Sequence, residues 1–128
     1  MIVPVVALYA PLNAFFNIAL AARVVPLRGG RGVSLGDDGS KEMITAIRVH
    51  GNNAEFVPLA LVMLLVAELA GGASFVLHLA GGTLLLARIS HALGLPRKAP
   101  NPLRSFGVAG TWGMIVAMGA YSLWLRTR

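Results

Sequence analysis

A four-helix, all-α membrane bundle is the fold class this sequence predicts, and three observations predict it. Of the 128 residues 56% are hydrophobic, with a mean hydropathy of +0.73. Only 12% are charged, against roughly a quarter in soluble domains. The apolar residues also gather into four long segments, separated by short intervals rich in glycine, proline and charge. Eleven Lys plus Arg against five Asp plus Glu would suggest a nucleic-acid partner in a soluble chain. The distribution argues against one: Arg23, Arg28, Arg31, Lys41, Arg97 and Lys98 lie in or at the ends of two polar intervals, neither with a nucleic-acid-binding motif. Cysteine is absent, which excludes disulfides, thiolate metal sites and a protein thiol nucleophile. No metal is expected, and any reactive sulfur must arrive with a ligand.

Residues 2–22 (IVPVVALYAPLNAFFNIALAA) carry no charge and match the ~20 helical residues needed to cross a ~30 Å hydrocarbon core. A cleavable leader would need a basic stretch ahead of the apolar run, and none precedes it. Residues 23–42 (RVVPLRGGRGVSLGDDGSKE) read as a loop, with GDDG as its turn signal. Helix two is expected over about 43–69, AGGAS at 70–74 as a tight turn, and helix three over about 75–95. PRKAPNPL forms a second polar loop, and helix four covers about 104–125. The whole chain, 1–128, reads as one transmembrane domain without an internal repeat. Basic short loops stay in the cytoplasm, so loops 23–42 and 96–103 are expected there, with both termini on the opposite side.

The second helix opens unusually, as RVHGNNAEFVPLALVMLL at 48–65. At 100° per residue Arg48, Asn52 and Glu55 fall on one face within about 60°. In LLLARISHALGL the third helix offers Arg88 and His91, three apart and also on one face. Two such stripes at similar depth can meet. An ionised side chain near the bilayer centre costs at least about 2.5–3.5 kcal/mol on insertion scales, so each needs a partner or a wet cavity. Pro58 adds a free backbone carbonyl at Ala54, beside Glu55. The plainer alternative is an Arg48–Glu55 ion pair that fixes packing, with Asn52 as interhelical glue. Asn13 and Asn17 share a face of helix one and read as packing hydrogen bonds. Gly107, Gly110 and Gly113 read as close helix contacts, Glu68 and His78 as interfacial residues, and His50 as a boundary residue.

Taken together, RVHGNNAEFVPLALVMLL, ARISHALGL and PNPLRSFG, in that order and with the GDDG loop before them, resemble the MAPEG family in its short bacterial branch. These are small membrane proteins of eicosanoid and glutathione metabolism. The resemblance spans essentially the whole chain. It implies a homotrimer of four-helix bundles, with glutathione bound between neighbouring subunits near the cytoplasmic face of a bacterial inner membrane. It further implies that Arg23, Arg48, Asn52, Glu55, Arg88 and His91 bind glutathione and that Arg104 stabilises its thiolate. Leu95 and Val108 stand where the eicosanoid-type enzymes often have tyrosines, and Gly51 where some have a further arginine.

The chemistry of glutathione fits these residue types. Two carboxylates, an ammonium and a thiol call for guanidiniums, a carboxylate and a way to favour the thiolate. The expected activity is a membrane-bound glutathione transferase or peroxidase acting on hydrophobic electrophiles or lipid hydroperoxides that arrive from the bilayer. The alternatives are a non-catalytic scaffold that binds a lipid or a partner protein, and a small multidrug exporter. Such exporters carry a carboxylate on helix one, which this chain lacks.

Overall fold

The computed structural model describes residues 2–128 and consists of four helices, α1 (Pro4–Arg31), α2 (Lys41–Leu69), α3 (Ser74–Gly94) and α4 (Pro102–Arg126). All four are long and apolar enough to cross a membrane, which makes the chain a multi-pass integral membrane protein. They run up and down, with the 32–40 and 95–101 connections at one end and the α2–α3 turn at the other. The α2 and α3 helices form the centre, whereas α1 and α4 do not approach one another.

The largest departure from expectation is α1, which continues past residue 22 to Arg31. At 1.5 Å per residue it is about 42 Å long, well over the hydrocarbon thickness. Hydropathy marks where the membrane ends, and the helix emerges beyond it. Arg28 and Arg31 lie in its last turn, where cations suit the negative end of the helix dipole. Gly32 then stops it at φ +66°, with Val33 N–H donating to the Arg28 carbonyl at 3.0 Å. The loop is therefore short, and the guanidinium of Arg31 closes it by pairing with Asp38 at 2.5 Å and Glu42 at 2.8 Å.

At the far end Val3 offers no side-chain cap to α1. Glu68, expected merely to mark the interface, supplies one from α2. Its two carboxylate oxygens accept from Val5 N–H at 2.7 Å and Val6 N–H at 2.8 Å, satisfying two orphan donors of α1. Tyr121 on α4 accepts from Ala73 N–H at 2.9 Å, so three helices are tied at this end.

The buried apolar residues form two clusters. The larger, built around Val5, Ala60, Leu64, Leu77, Leu84 and Met114, fills the half nearer the termini. The smaller, Leu20, Val49 and Ala92, lies towards the loops. Between them on every helix comes a polar layer. Close helix approach explains Gly107 and Gly110: a Cβ on Gly107 would lie 2.5 Å from His91 Cβ, and one on Gly110 3.0 Å from Ala87 Cβ. Gly113 departs from expectation, since its missing Cβ faces open space. The tightest backbone approach is at Gly94, where a Cβ would lie 2.4 Å from Arg104 N.

Two outcomes are expected. A reporter active only in the cytoplasm should work when fused in the 32–40 loop and fail at the C-terminus; the reverse result would invert the topology. Hydrogen bonding by Ser40 and Arg31 holds the Asp38 carboxyl below its ordinary 3.8. A lowered carboxyl pKa stabilises the clamp fully above pH 3.8 and is lost only as the pH falls below that value. At pH 8, Asp38→Asn should therefore expose Arg31 and raise trypsin cleavage after it several-fold relative to wild type.

Candidate functional site

The polar layer is organised by Arg88 of α3, which is 2% exposed. Its Nε donates to Asn53 Oδ1 at 3.0 Å, Nη1 to Thr111 Oγ1 at 3.3 Å, and Nη2 to Asn52 Oδ1 at 2.8 Å. Nη2 also lies 3.3 Å from His91 Nδ1. A guanidinium only donates, so His91 Nδ1 accepts and the ring proton belongs on Nε2. Asn53 passes the network on, donating from Nδ2 to Asn17 Oδ1 at 3.0 Å. One buried cation thus ties all four helices together through neutral oxygens, with no carboxylate among its partners. Thr111 in turn donates to the Gly107 carbonyl at 2.7 Å, which leaves its oxygen lone pairs for Arg88.

The start of α4 is held against the end of α3 by a second set of bonds. Asn101 caps α4 by accepting from Arg104 N–H at 3.0 Å, and its Nδ2 donates to the Gly94 carbonyl at 3.1 Å. Ser90 Oγ donates to the Leu103 carbonyl at 2.8 Å. Together with the glycine approaches at Gly94 and Gly107, these bonds set Arg104 beside the last turn of α3.

Of the residues the sequence singles out, Asn52, Arg88 and His91 are brought together. Arg23, Arg48, Glu55 and Arg104 are all exposed on the single chain. Arg48 and Glu55 do not pair: among the described residues the ion pairs are those of Arg31. Arg88 turns inward instead of towards Glu55. Arg104 lines a groove of about 600 Å³ with Ser105, Val108 and Trp112. Trp112 packs on Phe56, the neighbour of Glu55 in sequence, at 6.2 Å between ring centroids. Arg23 lies in a separate groove of about 680 Å³ between α1 and α2, with Lys41, Glu42 and Thr45.

The sequence reading missed Asn53 and Thr111, which are 0% and 1% exposed. The signal was present. The buried face of α2 runs Val49, Asn53, Val57, Ala60, Leu64, Ala67, and that of α4 runs Gly107, Thr111, Met114, Met118. Each polar residue interrupts an otherwise apolar series with spacings of three or four.

A four-span bundle whose polar core hangs on a third-helix arginine, with a further arginine where the fourth helix begins, defines a small polytopic membrane protein with an internal polar centre. The model of the MAPEG family matches residues 6–124, and the chain belongs to that family. It is similar to the inner membrane protein YecN of Escherichia coli K12, with 37% identity over 118 residues, covering 92% of this chain and 89% of the relative. YecN of E. coli O6:H1 matches to the same extent.

Removing the guanidinium should be strongly destabilising, because several buried polar partners lose their donor together. Arg88→Met is expected to cost about 3 kcal/mol or more, and Arg88→Lys to restore only part, since an ammonium cannot reproduce the planar fork. Thermal unfolding of the solubilised protein checks both. An Arg88→Met protein as stable as wild type would remove Arg88 from its central role.

Proposed function

We propose that this protein is a glutathione transferase of the bacterial inner membrane, with peroxidase capacity towards lipid hydroperoxides, working as a homotrimer with glutathione between subunits. The observation that carries this reading is the division of the polar residues. Arg88 is consumed within the chain, whereas Arg23, Arg48, Glu55 and Arg104 are left exposed, with no side-chain partner among the described residues. Glu55 stands midway along α2, and an ionised group at that depth is costly facing lipid. A neighbouring subunit and a zwitterionic, doubly carboxylated tripeptide would cover these charges.

In this reading Arg48 and Arg23 bind the carboxylates and Glu55 takes the ammonium. Asn52, oriented by Arg88, hydrogen-bonds to the peptide, and His91 is held in place from behind by the same guanidinium. Arg88 therefore acts as a positioning residue. Arg104 faces the thiol, and a fixed positive charge in a partly desolvated groove favours the thiolate without exchanging a proton. The apolar wall of the same groove at Val108 and Trp112 suits an electrophile arriving from the bilayer. The thiolate sulfur forms its new bond to the electrophilic carbon as the leaving group departs with the electron pair. With a hydroperoxide the sulfur bonds to oxygen as the O–O bond breaks, the alkoxide takes up a proton, and a second glutathione thiol displaces water from the sulfenic acid to give the disulfide.

One set of measurements tests the reading. Arg48→Ala or Glu55→Ala should weaken glutathione binding by about 1.5–3 kcal/mol, the scale of a hydrogen bond to a charged group. Arg104→Ala should keep much of the binding and raise the thiol titration, followed by thiolate ultraviolet absorbance, by about a unit, or 1.4 kcal/mol. Turnover of an aryl halide should fall with it. Unchanged titration and turnover in Arg104→Ala would defeat the catalytic assignment and leave a binding scaffold. Native mass spectrometry showing only monomer and dimer would defeat the trimer.

A further inference from the structure

Between α1 and α2, away from Arg104, lies a cavity of about 290 Å³. Asn13, Asn17 and Asn53 line it, together with apolar Ala10, Ala14, Val57 and Leu61. It opens between the middles of two membrane-spanning helices, and Ala14, Ala54 and Pro58 at its mouth are exposed. Nothing that lines it is ionisable.

The hydrogen bonds fix which way each amide points. Arg88 can only donate, so Asn53 presents Oδ1 to it and Nδ2 to Asn17. Asn17 must then accept through Oδ1, which leaves its Nδ2 as a free donor among the described residues. Asn13 is set from the other side. The Tyr9 carbonyl can only accept, so Asn13 gives it Nδ2 at 2.8 Å. Asn13 Oδ1 is left fully buried without a hydrogen-bond partner among the described residues. Asn13 and Asn17 are four residues apart and hence neighbours on one helix face. Pro58, which lacks an N–H, leaves the Ala54 carbonyl as a further acceptor at the same place.

An acceptor and a donor one helical turn apart, in an apolar recess, match a group that both gives and takes one hydrogen bond. An unsatisfied buried amide oxygen is destabilising, so filling this site is favourable. A water molecule takes up about 30 Å³ of liquid, far less than the cavity. We propose that this pocket binds the hydroxyl group of an uncharged long-chain amphiphile, whose hydrocarbon fills the recess and continues into the bilayer. The site is independent of the glutathione reading and stands or falls apart from it.

The protein in phosphatidylcholine nanodiscs, a lipid without hydroxyls, provides the test. The probe is a dodecanol carrying a mid-chain photoreactive diazirine, and the control is its methyl ether, which accepts but cannot donate. Labelled residues are mapped by mass spectrometry. The alcohol should label segments 10–17 and 54–61 up to about tenfold more than the ether, the scale of one net hydrogen bond. Asn13→Leu should reduce alcohol labelling to the ether level with the melting temperature retained. Ala14→Leu, which narrows the mouth without touching the amides, should do the same and carries the test if Asn13→Leu folds poorly. Equal labelling by alcohol and ether would show hydrocarbon partition alone. Labelling by neither would mean a pocket occupied by water only, and undiminished labelling in a folded Asn13→Leu or Ala14→Leu protein would place the alcohol elsewhere. Any of these results overturns the proposal.

Discussion

The Arg88 guanidinium, buried at the junction of four membrane-spanning helices, is the interaction on which the rest of the structure depends. A buried charge is tolerable only if each of its nitrogens finds an acceptor. Here the answer is spread over two asparagines, a threonine and a histidine, each on a stated helix position. Apolar packing alone permits helices to slide, because one greasy surface in lipid resembles another. Directional bonds from a single planar fork fix the register of α2, α3 and α4 at once, and the Asn53–Asn17 bond adds α1. The two apolar clusters above and below this layer are thereby kept in step.

The polar residues near the loop end are tied to that centre through two short paths. Asn52 and His91 take their orientation directly from Arg88, which holds both side chains in place from within the bundle. Arg104 takes its position from Gly94, Gly107 and Asn101, which bring the α4 backbone hard against the last turn of α3. A side chain at either glycine would push the helices apart and move the cation away from its place beside the α3 terminus. The placement of Arg104 and the packing of α3 on α4 therefore share the same few residues.

The ends of the bundle are handled by charge. At the loop end Arg31 gathers Asp38 and Glu42 and closes a nine-residue connection, 32–40, on itself. At the other end Glu68 reaches from α2 to the first turn of α1. Acids that look idle in sequence are spent on backbone amides and on a loop clamp, while Glu55, alone among the five, remains on an exposed face of α2 without a hydrogen-bond partner among the described residues.

Composition and segment length by themselves determined the class of this protein: four spans, their order and nearly all of their boundaries follow from apolar runs broken by glycine, proline and charge. Sequence also marked α2, α3 and the start of α4 as chemically loaded, and the order of their motifs matched the MAPEG family. The end of α1 was not legible, because hydropathy senses the membrane boundary and Arg23, Pro26 and Gly29 continue as helix in the polar zone beyond it. Nor was the direction in which Arg88 points. A helical wheel places a residue on a face but does not say which neighbour that face meets, so the partners of Arg88 at Asn53 and Thr111 could not be read from the sequence. Only tertiary packing decided that choice, because burial of the guanidinium requires several oxygens at fixed distances, and these come from helices that are remote in the chain and adjacent in space.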